Sequence, residues 1–156
     1  MIKYFHIFDF DGTLVDSSHR YRMNADTGKI DLEYWIANEH RAENDSPLPM
    51  FETFRHYQAH PEHYPIIATA RVWDSHSVKF AAKHGITCPI IARRNRSDSR
   101  GGAELKIQGL KPFFNLRQFL NVKHVYVYED NLSYLEKLVS AFRNTVGVYI
   151  PSVQGH

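Results

Sequence analysis

The chain has 156 residues, 43% of them hydrophobic, with a formal net charge of +2. That length and apolar content suit one folded domain with its own core and exclude a disordered chain. The charge is too close to neutral to argue nucleic-acid binding by itself. The single cysteine, Cys88, excludes an internal disulfide and a cysteine-rich zinc site and fits a reducing cytoplasm.

The first element expected is an apolar strand, "IKYFHIF" (2–8), which stops at Asp9. It is too short for a signal peptide or a membrane span, and no later stretch has the length to cross a bilayer. Residues 17–46 are polar, with one amphipathic piece around Ile30–Ile36. About thirty residues cannot build an independent core, so they read as a flap or small helical excursion rather than a second domain. A helix is expected over 50–60, where Met50, Phe51, Phe54 and Tyr57 share one side.

Four more strand-length runs follow, "YPIIATA" (64–70), "TCPIIA" (87–92), "KHVYVYE" (123–129) and "TVGVYI" (145–150). Their nearly continuous apolar patterning suits strands covered on both faces, as in a parallel sheet. Helical spacing fills the gaps at 75–85, at 112–121 with Pro112 read as a first-turn proline, and at 132–142. Strands alternating with helices imply right-handed crossovers and a Rossmann-like, three-layer α/β fold. "RRNRSDSRGG" (93–102) reads as a basic loop leaving the third run.

In an open α/β sheet, ligands bind beyond the carboxyl ends of the strands. There the chain places Asp9, Asp11 and Thr13, then Thr69 and Arg71, then the arginine-rich loop with Lys106 after it, and last Glu129, Asp130 and Asn131. Carboxylates this close must protonate or hold a cation between them. Oxygen donors without histidine or cysteine clusters select a hard ion, Mg²⁺ above all. Hydroxyls, a lysine and backbone N–H groups beside such an ion make a phosphate site. A free carboxylate in that site can attack phosphorus, and a second can move protons.

These residues resemble the haloacid dehalogenase (HAD) superfamily. "DFDGTL" (9–14) is similar to its first motif, Thr69 in "IIATAR" to its second, Lys106 in "GGAELK" to its third and "VYVYEDN" (125–131) to its fourth. The four occur in order and span residues 2–150. The resemblance implies a strand order of 5-4-1-2-3 among the five apolar runs, without a large cap domain. It implies Asp9 as nucleophile and metal ligand, and Asp11 as general acid/base with its backbone carbonyl on Mg²⁺. Thr69 and Lys106 would hold the phosphoryl oxygens, and Asp130 would bind the ion. Glu129 replaces the more usual aspartate and is counted with the metal set. The family's dehalogenases lack the second aspartate, so Asp11 points to phosphate chemistry.

A narrower resemblance, to the 3′-phosphatase domain of polynucleotide kinase-phosphatases (often phage-encoded) and to Swiss-army-knife RNA-repair proteins, rests on Arg20, "YW…DSPLP", "TAR" and "ARRNRSDSR…K". It implies a Mg²⁺-dependent phosphomonoesterase acting through an aspartyl-phosphate on a nucleotide or nucleic-acid 3′-phosphate. Thr13, Arg20, Arg71 and Arg94 would be the substrate-binding residues. No kinase P-loop is present. The alternatives are a small-molecule or 5′-nucleotide phosphatase, and, outside enzymes, a phosphate-binding or receiver-like module. A receiver would need its phospho-accepting aspartate at the third run, which instead ends in "IIARR". Trp35 and Trp73 read as packing residues, with stacking on a base as the alternative for Trp35.

Overall fold

The computed structural model describes residues 1–154. Its parallel five-stranded sheet contains β1 (Tyr4–Phe8), β4 (His63–Val72), β5 (Ile90–Arg93), β6 (His124–Glu129) and β7 (Thr145–Tyr149). Two short strands outside the five apolar runs, β2 (Val15–Asp16) and β3 (Ser46–Pro47), form a small antiparallel ribbon at the root of the flap. With β2 and β3 counted in chain order the main sheet runs β5-β4-β1-β6-β7, which is 3-2-1-4-5 in the numbering of the five apolar runs, the same succession as 5-4-1-2-3 taken from the opposite edge. The α/β class with a parallel sheet holds.

Side chains alternate across β1. Phe5 and Ile7 join one core cluster with Ile66, Val125, Val127, Leu110, Leu135 and Leu138. That cluster lies under α4 (Gly102–Phe114) and α5 (Leu132–Ala141). Phe8 joins the opposite cluster with Phe10, Phe51, Phe54, Ile67 and Phe80, under α2 (Met50–Ala59) and α3 (Ser75–Lys83). Two buried faces explain why the strand runs are nearly continuous in apolar residues. His6 is the exception in β1. It is buried, stacks on Tyr57 of α2 at 3.7 Å between centroids, and pairs with the Tyr128 hydroxyl (3.0 Å) and His63 (2.7 Å). Burial and the neighbouring His63 push its pKa down to about 3, so it packs as a neutral ring.

The flap carries α1 (Leu32–Ala37), capped by Asp31, whose side chain accepts from the Tyr34 N–H at 3.0 Å. Asp74 and Asn131 cap α3 and α5 in the same way. Pro112 does not open a helix: it lies in the last turns of α4, which starts ten residues earlier, and a short 3-10 turn, Arg117–Phe119, occupies part of the expected segment. Gly102 lets α4 begin against α5, because a Cβ there would lie 2.6 Å from the Tyr134 ring. Among the described residues, no helix is long and apolar enough to cross a membrane.

Candidate active site

The strand register sets the level of the site. Phe8 pairs with Ile67 of β4 on one side and with Tyr128 of β6 on the other. The residues just beyond these rungs, Asp9, Thr69, Glu129 and Asp130, therefore emerge together at the carboxyl edge. The Asp9 N–H still donates to the Tyr128 carbonyl at 2.9 Å, and after it the chain turns sharply. The Phe10 carbonyl accepts from Thr13, Leu14 and Val15, and Gly12 sits at φ +79°. A Cβ on Gly12 would run into Asp130 Oδ2 and come within 2.6 Å of Ser152 Oγ. Only glycine lets the loop approach Asp130 this closely.

Asp9 is held from two sides. Lys106 Nζ, reaching in from α4, donates to Asp9 Oδ1 at 2.9 Å and to Glu129 Oε2 at 2.6 Å. Thr13 Oγ1 donates to Asp9 Oδ2 at 3.2 Å. Burial would lower the Lys106 pKa, but Asp9 and Glu129 outweigh it and hold the ammonium above its ordinary value. Glu129 is pushed up to about 8, first by burial and then by Asp9, with Lys106 offsetting part of the rise. Asp130 is pushed up to about 7 by burial and by Asp9. Both shifts express burial first and crowded negative charge second.

That crowding fits a cation. Asp9, Glu129 and Asp130 each offer a carboxylate oxygen within 4.8 Å of the others. Both carboxyl oxygens of Asp130 are buried without a hydrogen-bond partner among the described residues. Orphaned buried acceptors are costly. An all-oxygen donor set with unused lone pairs suits a hard divalent ion such as Mg²⁺. Asp9, Glu129 and Asp130 of the expected set are thus brought together, and the Asp11 side chain lines the same pocket.

Asp11 belongs to a second network. Arg71 grips it through Nη2 and through Nε at 3.1 Å, and Ser17 Oγ donates to its Oδ1 at 2.9 Å. Burial raises the Asp11 pKa, but Arg71, Arg20 and Ser17 together bring it below the usual carboxylate value. Asp45, at the flap's return, completes this network. Its carboxylate receives Arg20 Nε and Nη2, both at 2.9 Å, Arg71 Nη2 at 2.8 Å and His19 at 2.8 Å.

The placement of the expected substrate-binding arginines needs correction. Arg20 is not available to grip a phosphate, because it is buried in a two-point pair with Asp45 and stacked on Trp35 at 4.0 Å. Arg71 lines the site but is committed to Asp11, Asp45 and Ser77. Arg94 is exposed and does not line the pocket, whereas its neighbour Arg93 does. Thr69 lines the pocket, and its hydroxyl accepts the Arg71 N–H at 3.2 Å.

The pocket itself is about 270 Å³. Asp9, Asp11, Thr69, Lys106 and Glu129 are its polar lining; Tyr21, Ile30, Leu32, Trp35 and Tyr134 are its apolar and aromatic lining, with the Tyr134 ring 5.3 Å from Lys106 Nζ. Nothing in the sequence singles out Asp45, Ser17 or Tyr134 as site residues, and Arg93 stands out there only as part of the arginine-rich loop. Asp45 lies in "DSPLP", a stretch noticed only for its resemblance.

Comparison with known proteins sharpens this picture. Residues 1–101 match the family model described as bacteriophage T5 5′-deoxynucleotidase. No curated protein gives a significant match. Among solved structures, the Pnkp1/Rnl/Hen1 RNA repair complex contains a chain that superposes with TM-score 0.64 and 16% identity, over 96% of this chain and 43% of that one. This chain thus spans less than half the length of that relative. The HAD domain of effector protein Lem4 from Legionella pneumophila aligns with TM-score 0.62 and 12% identity, over 98% of this chain and 88% of that one. A haloacid dehalogenase-like hydrolase from Streptococcus pneumoniae aligns with TM-score 0.62 and 13% identity, over 97% and 88%. These structural likenesses show the haloacid dehalogenase fold.

Proposed function

The chain belongs to the bacteriophage T5 5′-deoxynucleotidase family and has the haloacid dehalogenase fold; from that premise we propose that it is a phosphoric monoester hydrolase that cleaves 5′-deoxynucleoside monophosphates through an aspartyl-phosphate on Asp9. The observation that carries this reading is the pocket's mixed lining. A carboxylate oriented by Lys106 and Thr13 shares one pocket with Tyr21, Leu32, Trp35 and Tyr134, apolar and aromatic surface against which a nucleoside would pack. Aromatic faces suit a nucleobase.

In this mechanism an Asp9 carboxylate oxygen attacks phosphorus, and the bond from phosphorus to the 5′-oxygen breaks. Asp11 gives a proton to the departing oxygen, then takes one from the water that releases phosphate. The Arg71 and Ser17 contacts favour the ionised form of Asp11, which is the form needed by the second half. Protonating the leaving group requires Asp11 to take up a proton and loosen from Arg71. Lys106 and Thr69 orient the phosphoryl oxygens. A Mg²⁺ held by Asp9, Glu129, Asp130 and the Asp11 main-chain carbonyl would neutralise charge on the phosphate and on the clustered acids.

A second reading keeps the preference stated from sequence, a nucleic-acid 3′-phosphate. What favours it is a groove of about 320 Å³ that adjoins the pocket and is lined by Arg93, Arg96 and Arg100 beside Trp35, with Glu39 and Asp98 paired to these arginines. The experiment that separates the two compares kcat/KM, with Mg²⁺, for a 5′-deoxynucleotide, a 3′-phosphorylated oligonucleotide and its 5′-phosphorylated isomer. Preference for the mononucleotide supports the proposal; preference for the 3′-phosphorylated oligonucleotide overturns it in favour of the second reading.

A further inference from the structure

We propose that Gln154, on the segment following β7, is a positioning residue for Asp11, acting through the Ser17 hydroxyl. This rests on the reading of Asp11 as the acid that serves the leaving group. Gln154 is only 3% exposed, and Ser17 is fully buried. The two make a two-point contact: the Ser17 N–H donates to Gln154 Oε1 at 3.3 Å, and Gln154 Nε2 donates to Ser17 Oγ at 2.8 Å.

The direction of these bonds follows from donor and acceptor inventory. A backbone N–H can only donate, so the amide oxygen must face it, and the amide NH₂ is left facing the hydroxyl. A serine hydroxyl has one proton. Since Ser17 Oγ accepts from Gln154, its proton is free for Asp11 Oδ1, 2.9 Å away. Gln154 therefore sets the hydroxyl's polarity as well as its place, and the hydroxyl sets the Asp11 carboxylate.

The segment that carries Gln154 is itself anchored at the site. The Ile150 N–H donates to the Glu129 carbonyl at 2.9 Å, and the Gln154 N–H donates to Ser152 Oγ at 2.9 Å. Ser152 passes directly over Gly12, where a side chain would block it. The segment is thus laid between the loop bearing Asp11 and the strand end bearing Glu129 and Asp130. None of the four sequence motifs includes it.

The test uses the dependence on leaving group. A deoxynucleotide releases an alkoxide that needs a proton, whereas p-nitrophenyl phosphate releases a nitrophenolate that does not. The constant kcat/KM reads the steps through loss of that group. In Gln154→Ala, Gln154→Glu and Ser17→Ala, the ratio of kcat/KM for a 5′-deoxynucleotide to that for p-nitrophenyl phosphate should fall about tenfold, because an Asp11 carboxyl no longer held in place delivers its proton less well, even though loss of the Ser17 donor eases its protonation. Asp11→Asn should shift the same ratio further. A purely structural role would lower both constants together. An unchanged ratio in folded Gln154→Glu and Ser17→Ala overturns the proposal, as does an unchanged ratio in Asp11→Asn. If the wild type does not use deoxynucleotides, the comparison runs with β-glycerophosphate, another alkyl ester. A failed substrate assignment is thereby distinguished from a failed role for Gln154.

Discussion

Lys106 Nζ bridges Asp9 Oδ1 and Glu129 Oε2, at 2.9 Å and 2.6 Å, with all three side chains buried. One cation from α4 thus offsets charge at two strand ends. Removing it leaves two buried carboxylates unpaired, a loss of about 3–5 kcal/mol for a buried pair broken on one side. Lys106→Met should lower kcat by more than about 100-fold and lower the melting temperature, with Mg²⁺ restoring part of the stability but not the activity. Steady-state kinetics and thermal melts check this. A Lys106→Met protein with wild-type kcat would remove Lys106 from the site.

Gly12→Ala tests the close approach of the first loop to Asp130. The residue has φ +79°, and the added methyl would run into Asp130 Oδ2. The backbone conformation alone costs about 1–2 kcal/mol for a non-glycine residue. The variant should melt lower and bind Mg²⁺ at least about tenfold more weakly by calorimetry, because displacing Asp130 by even a fraction of an ångström spoils an oxygen cage. Unchanged Mg²⁺ affinity would mean that Asp130 is not a ligand.

The acids also set a pH dependence. Glu129 and Asp130 titrate at about 8 and about 7 in the fold, above their ordinary values of 4.5 and 3.8. A raised carboxylate favours the protonated fold, so its effect is absent at low pH and destabilises increasingly as pH rises from about 4 through about 8. Mg²⁺ binds the ionised acids. The rise in melting temperature on adding Mg²⁺ should therefore grow between pH 5.5 and pH 8.5. A Mg²⁺ effect that shrinks with rising pH would contradict the assignment.

His6 works in the opposite direction and in another window. Its folded pKa is about 3 against an ordinary 6.5, so the fold holds it neutral. That stability is complete above 6.5 and is lost as pH falls toward 3, at no more than about 1.4 kcal/mol per pH unit. Replacing His6 by Gln should flatten the decline in melting temperature between pH 6.5 and 4.5. A slope equal to that of the wild type would place the acid sensitivity elsewhere.

Much of the fold and the centre of the site were legible in the sequence because their signals are local. Two-sided burial makes β1, β4 and β6 read as apolar runs, and Asp9, Asp11, Thr69 and Asp130 stand at the ends of those runs or just past them. The arginines were harder. Arg20 and Arg71 read as phosphate ligands until the flap brings Asp45 between them, a partner 25 residues from one and 26 from the other. Gln154 meets Ser17 across 137 residues, and no periodicity records such a contact. Pro112 misled because a proline near a helix end resembles one near a helix start when the preceding helix goes unread. The ribbon of β2 and β3 has two residues per strand, too few for any alternation to show.

The most direct test of the account is to trap the enzyme during turnover. Acid quenching with ³²P-labelled 5′-deoxynucleotide and Mg²⁺, followed by peptide mapping, should find hydroxylamine-sensitive label on Asp9 and none in a folded, inactive Asp9→Asn. An Asp9→Asn protein that retains wild-type turnover, or label mapped to a different residue, would contradict it.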